Sequence, residues 1–141
     1  MEQKEVIHRL KNFFDGFEKV KLAYLFGSSV TGRAGKLSDI DIAVLLDEKL
    51  TAKERLKLEL ELISCLSSTL KTDKIEVVVM NEAPLLLKYN IIKNGIILKS
   101  ADEALRVKKE AEILSRYLDR KYFEERRAKE AIKRIARHGL K

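Results

Sequence analysis

An apolar run, Ala23 to Phe26, stops at Gly27-Ser28. Ten residues later a second apolar run, Ile40 to Leu46, begins behind two aspartates, Asp39 and Asp41. Both runs have strand length and are too short to cross a bilayer. Side chains alternate faces along a strand, so Asp39 and Asp41 point the same way. Two carboxylates on one face of an apolar strand repel each other and are costly to keep charged. A hard divalent cation, which takes oxygen ligands, is the matching partner. A turn ending in Gly-Ser offers backbone N–H groups and a hydroxyl, which suit phosphate. Phosphate with a divalent cation is the equipment of phosphoryl or nucleotidyl transfer. A plain hairpin with a glycine-rich loop accounts for the turn, but not for both carboxylates sharing a face.

Gly27, Ser28, Gly32, Ser38, Asp39 and Asp41, spaced as Gly-Ser, ten residues, Asp-x-Asp, resemble the nucleotidyltransferase superfamily that includes DNA polymerase beta. The resemblance implies that Asp39 and Asp41 hold two Mg²⁺ ions. It also implies that Gly27, Ser28 and Ser38 bind the nucleotide, and that AMP is transferred from ATP to a hydroxyl. Arg33 and Lys36, in the loop between the motifs, either clamp a triphosphate or are ordinary loop charges. The family has a third carboxylate on a neighbouring strand. The next strand candidate, KIEVVVM over Lys74 to Met80, is rich in β-branched residues and carries one acid, Glu76. Glu76 would complete a metal site and accept the proton of the attacking hydroxyl. The family most often has Asp there, so Glu76 is a departure, and Asp73, before the strand, is the fallback.

The segment NEAPLLLKYNIIKNGIILKS also resembles the minimal nucleotidyltransferases, which share an Asn-x-Ala-Pro turn and a Gly before a last short strand. The resemblance covers roughly Leu22 to Lys99. It implies an α/β (α+β) fold, a small mixed β-sheet backed by helices. Residues 1–100 would form the nucleotidyltransferase unit and residues 101–141 a helical extension of the same domain. Larger superfamily members carry a second domain for the acceptor, and this chain has no room for one. Members of the minimal family are often antitoxins paired with a HEPN-type ribonuclease toxin, adding AMP to a toxin tyrosine. The resemblance thus implies an antitoxin whose acceptor is its protein partner. Two other functions stay open: a non-catalytic antitoxin that neutralises by contact, and a small-molecule, aminoglycoside-type nucleotidyltransferase. An enzyme acting on nucleic-acid ends is disfavoured, because no RNA- or DNA-binding appendage is evident.

The chain has 141 residues, one domain by size, and 45% of them are hydrophobic. Cys65 is its single cysteine, which excludes an internal disulfide and suits a reducing cytoplasm. The first residues read as a charged helix and not as a signal peptide. The net charge of +7 fits an anionic partner. Helices are predicted over Gln3–Phe14, from the Thr51-x-x-Glu54 capping box to about Thr69, and from an Asn81-Glu82-Ala83-Pro84 opening, with Pro84 in its first turn, to Asn94. Ile96 to Lys99 reads as a fourth strand. A second capping box, Ser100-x-x-Glu103, opens a helix that nothing breaks before Arg137. On that helix Val107, Ala111, Leu114 and Leu118 recur at helical spacing, and the latter half is dense in Lys and Arg. It reads as a solvated helix packed by its first half, as a docking helix for a partner, or as half of a homodimer interface.

Overall fold

The computed structural model describes residues 3–27 and 39–139. Ser28, Arg33 and Ser38, with Gly32 and Lys36, lie outside the described residues. Along the chain run α1 (Gln3–Asp15), β1 (Val20–Phe26), β2 (Ile40–Leu46), α2 (Ala52–Leu70), β3 (Ile75–Val79), a 3-10 turn (Met80–Glu82), α3 (Leu85–Asn94), β4 (Ile96–Ser100) and α4 (Glu103–His138). The sheet order is β3-β2-β1-β4. β1 is antiparallel to both β2 and β4, while β2 and β3 are parallel. The sheet is therefore mixed, as expected.

Both faces of the sheet are covered, which is why its central strands read as nearly unbroken apolar runs. Ala23, Leu25, Ile42 and Val44 face α1 and α2, where Leu10, Phe14, Leu62 and Leu66 complete one core. Leu22, Tyr24 and Ala43 face the other way, toward Ile91 of α3 and Ile113 of α4. In α2 the alternating leucines resolve as a helix. Leu58, Leu62, Leu66 and Leu70, four residues apart, are buried, while Leu56 and Leu60 are exposed. The Thr51 capping box forms as read: Glu54 N–H donates to Thr51 Oγ1 (3.2 Å) and Thr51 N–H to Glu54 Oε1 (3.0 Å). The cap expected at Ser100 falls instead on Asp102, whose carboxylate accepts from Ala104 N–H and Leu105 N–H. A carboxylate is also the better match to the positive end of a helix dipole.

Two side chains tie the sheet to its surroundings through backbone groups. Asn81 accepts from Leu46 N–H (2.9 Å) and donates to Leu46 C=O (3.0 Å), continuing the pairing with β2 just past the end of β3. Lys99, on β4, donates to Phe14 C=O (2.9 Å) and to Phe17 C=O (2.5 Å), covering the C-terminus of α1. Partial burial lowers the Lys99 pKa, yet its ammonium adds a charged donor to two carbonyls that each accept one turn N–H already, Phe14 C=O from Phe17 and Phe17 C=O from Val20. Lys99→Met keeps the stem and deletes the donors. It is expected to cost roughly 1.5–3 kcal/mol, the range for hydrogen bonds to a charged group. Urea unfolding measures this, and a loss below about 0.5 kcal/mol would show that the turn N–H groups and water satisfy those carbonyls equally well.

Candidate active site

The carboxylate corner is built by strand register. Ile40 N–H donates to Lys74 C=O (2.8 Å) where β2 meets the segment leading into β3. That bond sets Ile40 against Ile75 and Asp41 directly against Glu76. On the other side Asp41 pairs with Phe26, the last residue of β1. Alternation then points Asp41 and Glu76 to the same face as Ala43 and Tyr24, the face that α3 and α4 cover further along. Asp39 stands one residue outside the strand and is exposed.

The closeness has an electrostatic consequence. Partial burial, the charge of Glu76, a hydrogen bond shared with Glu76 and the charge of Asp39 together push the Asp41 carboxyl up from 3.8 to about 6. Glu76 is exposed, as a strand residue facing solvent would be, but it faces Asp41 as well. Asp73 precedes β3, is exposed, and is not among the groups that shift Asp41. Of the two acids weighed for the third position, Glu76 is the one brought to the corner.

Gly27 closes the corner from above. Its φ is +81°, the left-handed region that glycine enters freely. A Cβ placed there would lie 2.2 Å from Asp41 Oδ2. The missing side chain is thus the space that the Asp41 carboxylate occupies. Sequence reasoning assigned Gly27 to phosphate through its turn; contact with Asp41 left no signal in the spacing. Ser28, Arg33 and Ser38 fall outside the described residues, so their placement relative to the corner is not part of this geometry.

The donor set fits a hard cation. Three carboxylates stand near one another, and partial burial with the charges of the other two raises the pKa of Asp41, a cost that a bound cation would relieve. Among the described residues, no three acidic, histidine or cysteine side chains close to metal-ligand distance. Asp39, Asp41 and Glu76 therefore share a corner and are not drawn together. No helix among the described residues is long and apolar enough to cross a membrane.

Solved structures resemble this fold. A crystal structure of a toxin–antitoxin complex with AMP-PNP superposes with a TM-score of 0.65 at 25% identity, covering 94% of this chain and 99% of that one. The complex of a tri-AMPylated HEPN toxin with its MNT antitoxin from Shewanella oneidensis gives 0.64 at 23% identity, covering 93% of this chain and 99% of that one. A further Shewanella oneidensis structure gives 0.62 at 21% identity, over 93% and 99% of the two chains. The last two likenesses, at lower identity, speak for the fold. Comparison with curated protein sequences gives no match. The model of the polymerase beta nucleotidyltransferase family matches residues 8–104, from α1 through the start of α4 and across the whole carboxylate corner, and the chain belongs to that family.

Proposed function

We propose that this protein is an antitoxin that transfers AMP from ATP, with Mg²⁺, to a hydroxyl of a HEPN-type toxin, most simply a tyrosine. The observation that carries the reading is the pairing of Asp41 with Glu76 beneath Gly27, with Asp39 alongside. It is supported by the similar toxin–antitoxin complex that holds AMP-PNP and by the tri-AMPylated toxin of the Shewanella complex. Residues 1–100 would form the transferring unit and residues 101–141 its helical extension.

Asp39 and Asp41 would hold the cations, and Glu76 would complete one site and take the proton of the incoming hydroxyl. Bound Mg²⁺ would supply charge neutralisation at the leaving pyrophosphate and activation of the attacking oxygen. Gly27 leaves room for the Asp41 carboxylate, and its N–H would meet the phosphates. Ser28 and Ser38 are carried over as nucleotide contacts on their motif positions alone, and Arg33, in the loop between the motifs, as a clamp for the triphosphate.

Two measurements test this. The melting temperature should rise more with Mg²⁺ and ATP together than the separate rises predict, because each provides part of the other's site. Mass spectrometry of the HEPN-type partner should show added AMP. Glu76→Gln is expected to cut that labelling by about 10²-fold or more, the low end for losing a general base. Nucleotide binding should persist, and Glu76→Asp should retain activity. Near-normal labelling by Glu76→Gln would remove Glu76 from the mechanism. Full neutralisation of the toxin without any labelling would make the protein a binding module.

A further inference from the structure

Helix α4 has two different faces. Its inner face meets the body: Ile113 is buried, Tyr117 stacks on Tyr89 of α3 with ring centroids 3.6 Å apart, and Lys109 reaches Glu48 at 2.9 Å. The apolar residues at helical spacing lie on another face. Val107, Leu114, Leu118, Tyr122 and Ile132 remain 57%, 44%, 52%, 58% and 66% exposed. From Leu118 to Gly139 every residue is exposed. The helix spans 36 residues, about 54 Å at 1.5 Å per residue, and its second half extends past the packed core. A solitary helical segment of that kind is marginal in water, and an apolar stripe on it calls for a covering surface.

Charge decides what covers it. Between Asp119 and His138 there are eight Lys and Arg residues against four Asp and Glu. Two of the acids are used locally, in Arg120–Glu124 (3.0 Å) and Arg126–Glu130 (3.8 Å). Six basic residues are left facing Asp119 and Glu125. A second copy laid along this segment would set positive charge against positive charge, which is unfavourable across a contact. An acidic surface would be drawn to it. A stripe repeating every three to four residues is the pattern that packs against another helix.

We infer that the outer stripe of α4 is the docking surface for an acidic, helical partner protein, the same one that receives the nucleotide. This rests on the protein-acceptor reading above. The stripe belongs to a helix whose inner face packs on the sheet face from which Asp41 and Glu76 project. A partner held along α4 is therefore held on the catalytic side of the molecule, which is the positioning that group transfer requires.

The test uses the full-length chain and the HEPN-type protein of the same organism, with titration calorimetry for binding. Leu114→Glu/Leu118→Glu and Lys121→Glu/Lys129→Glu/Lys133→Glu, whose lysines flank the stripe on the same face, are each expected to weaken the complex at least tenfold. Added salt should weaken the wild-type complex and narrow the deficit of the charge-reversed variant. The melting shift with Mg²⁺ and ATP should stay at its wild-type value in both, showing an intact nucleotide site. Wild-type affinity in both variants, or no complex with the wild-type chain, would overturn the docking surface. So would a self-association lost on Leu114→Glu/Leu118→Glu with partner affinity unchanged. A complex that depends on α4 but carries no AMP would leave the docking surface standing and remove the transfer reading. Labelling at wild-type efficiency by both variants would do the reverse.

Discussion

Asp41→Asn is expected to abolish AMP transfer and, in metal-free buffer at neutral pH, to raise the melting temperature. The first effect follows from position. Losing an outer-shell partner of a metal site costs about 10–100-fold. A carboxylate proposed to touch the ion should cost more, so partner labelling should fall to background. The second effect follows from the raised pKa. Folded, Asp41 titrates at about 6; its ordinary value is 3.8. Below pH 3.8 the carboxyl is protonated in both states and no repulsion is felt. As pH rises through the window from 3.8 to 6 the unfolded chain releases its proton and the folded chain resists, so stability falls. Above pH 6 the folded protein carries the whole cost of a partly buried charge on Asp41 and of its repulsion with Glu76 and Asp39. Asn has the same size and no charge. Its melting curve should lose that downward step between pH 4 and 6 and lie above wild type at pH 7. Mg²⁺ should narrow the gap by stabilising wild type alone. Melting temperatures of both proteins across pH 4–8, with and without Mg²⁺, measure this. An Asp41→Asn protein less stable than wild type at pH 7 without metal would mean that the carboxylate is a structural hydrogen-bond acceptor and not a strained ligand.

Much of this was legible in the chain because strand ends announce themselves locally. Gly27 stops β1, and the Asp-x-Asp pair opens β2. The β-branched run around Val77 marks β3, and Thr51 with Glu54 marks the start of α2. What local pattern cannot carry is register between strands distant in sequence. Asp41 and Glu76 meet because Ile40 N–H bonds Lys74 C=O, a contact that no spacing encodes. The chain therefore showed which acid was available, and the parallel pairing shows that it faces Asp41. Helix α4 marks the other limit. Periodicity located an apolar stripe at Val107, Ala111, Leu114 and Leu118, and burial would have been the ordinary inference. The fold buries Ile113 and stacks Tyr117 instead. A period reports that one face of a helix is apolar, and leaves open whether the same chain covers it.

Gly27→Ala should be nearly as damaging to transfer as loss of Asp41, although it removes no functional group. Two penalties coincide at this position. An L-residue at a φ of +81° is strained, by about 1–2 kcal/mol in the left-handed region. The added methyl would also lie 2.2 Å from Asp41 Oδ2, so either the turn or the carboxylate must shift. Misplacing a reacting group by about 1 Å costs on the order of 10²-fold, and here the displaced group is the most perturbed carboxylate of the corner. A double-mutant cycle separates the penalties. In an Asp41→Ala background the obstructing carboxylate is gone and only the Cβ of residue 41, 3.3 Å away, stays near the new methyl, so backbone strain dominates and Gly27→Ala should cost about 1–2 kcal/mol in urea unfolding. In the wild-type background the same change should cost more, the difference being the clash. Equal costs in the two backgrounds would show that Gly27 and Asp41 are not in contact. The glycine would then be required by its turn alone, and the transfer defect of Gly27→Ala would have to come from the phosphate side of the site.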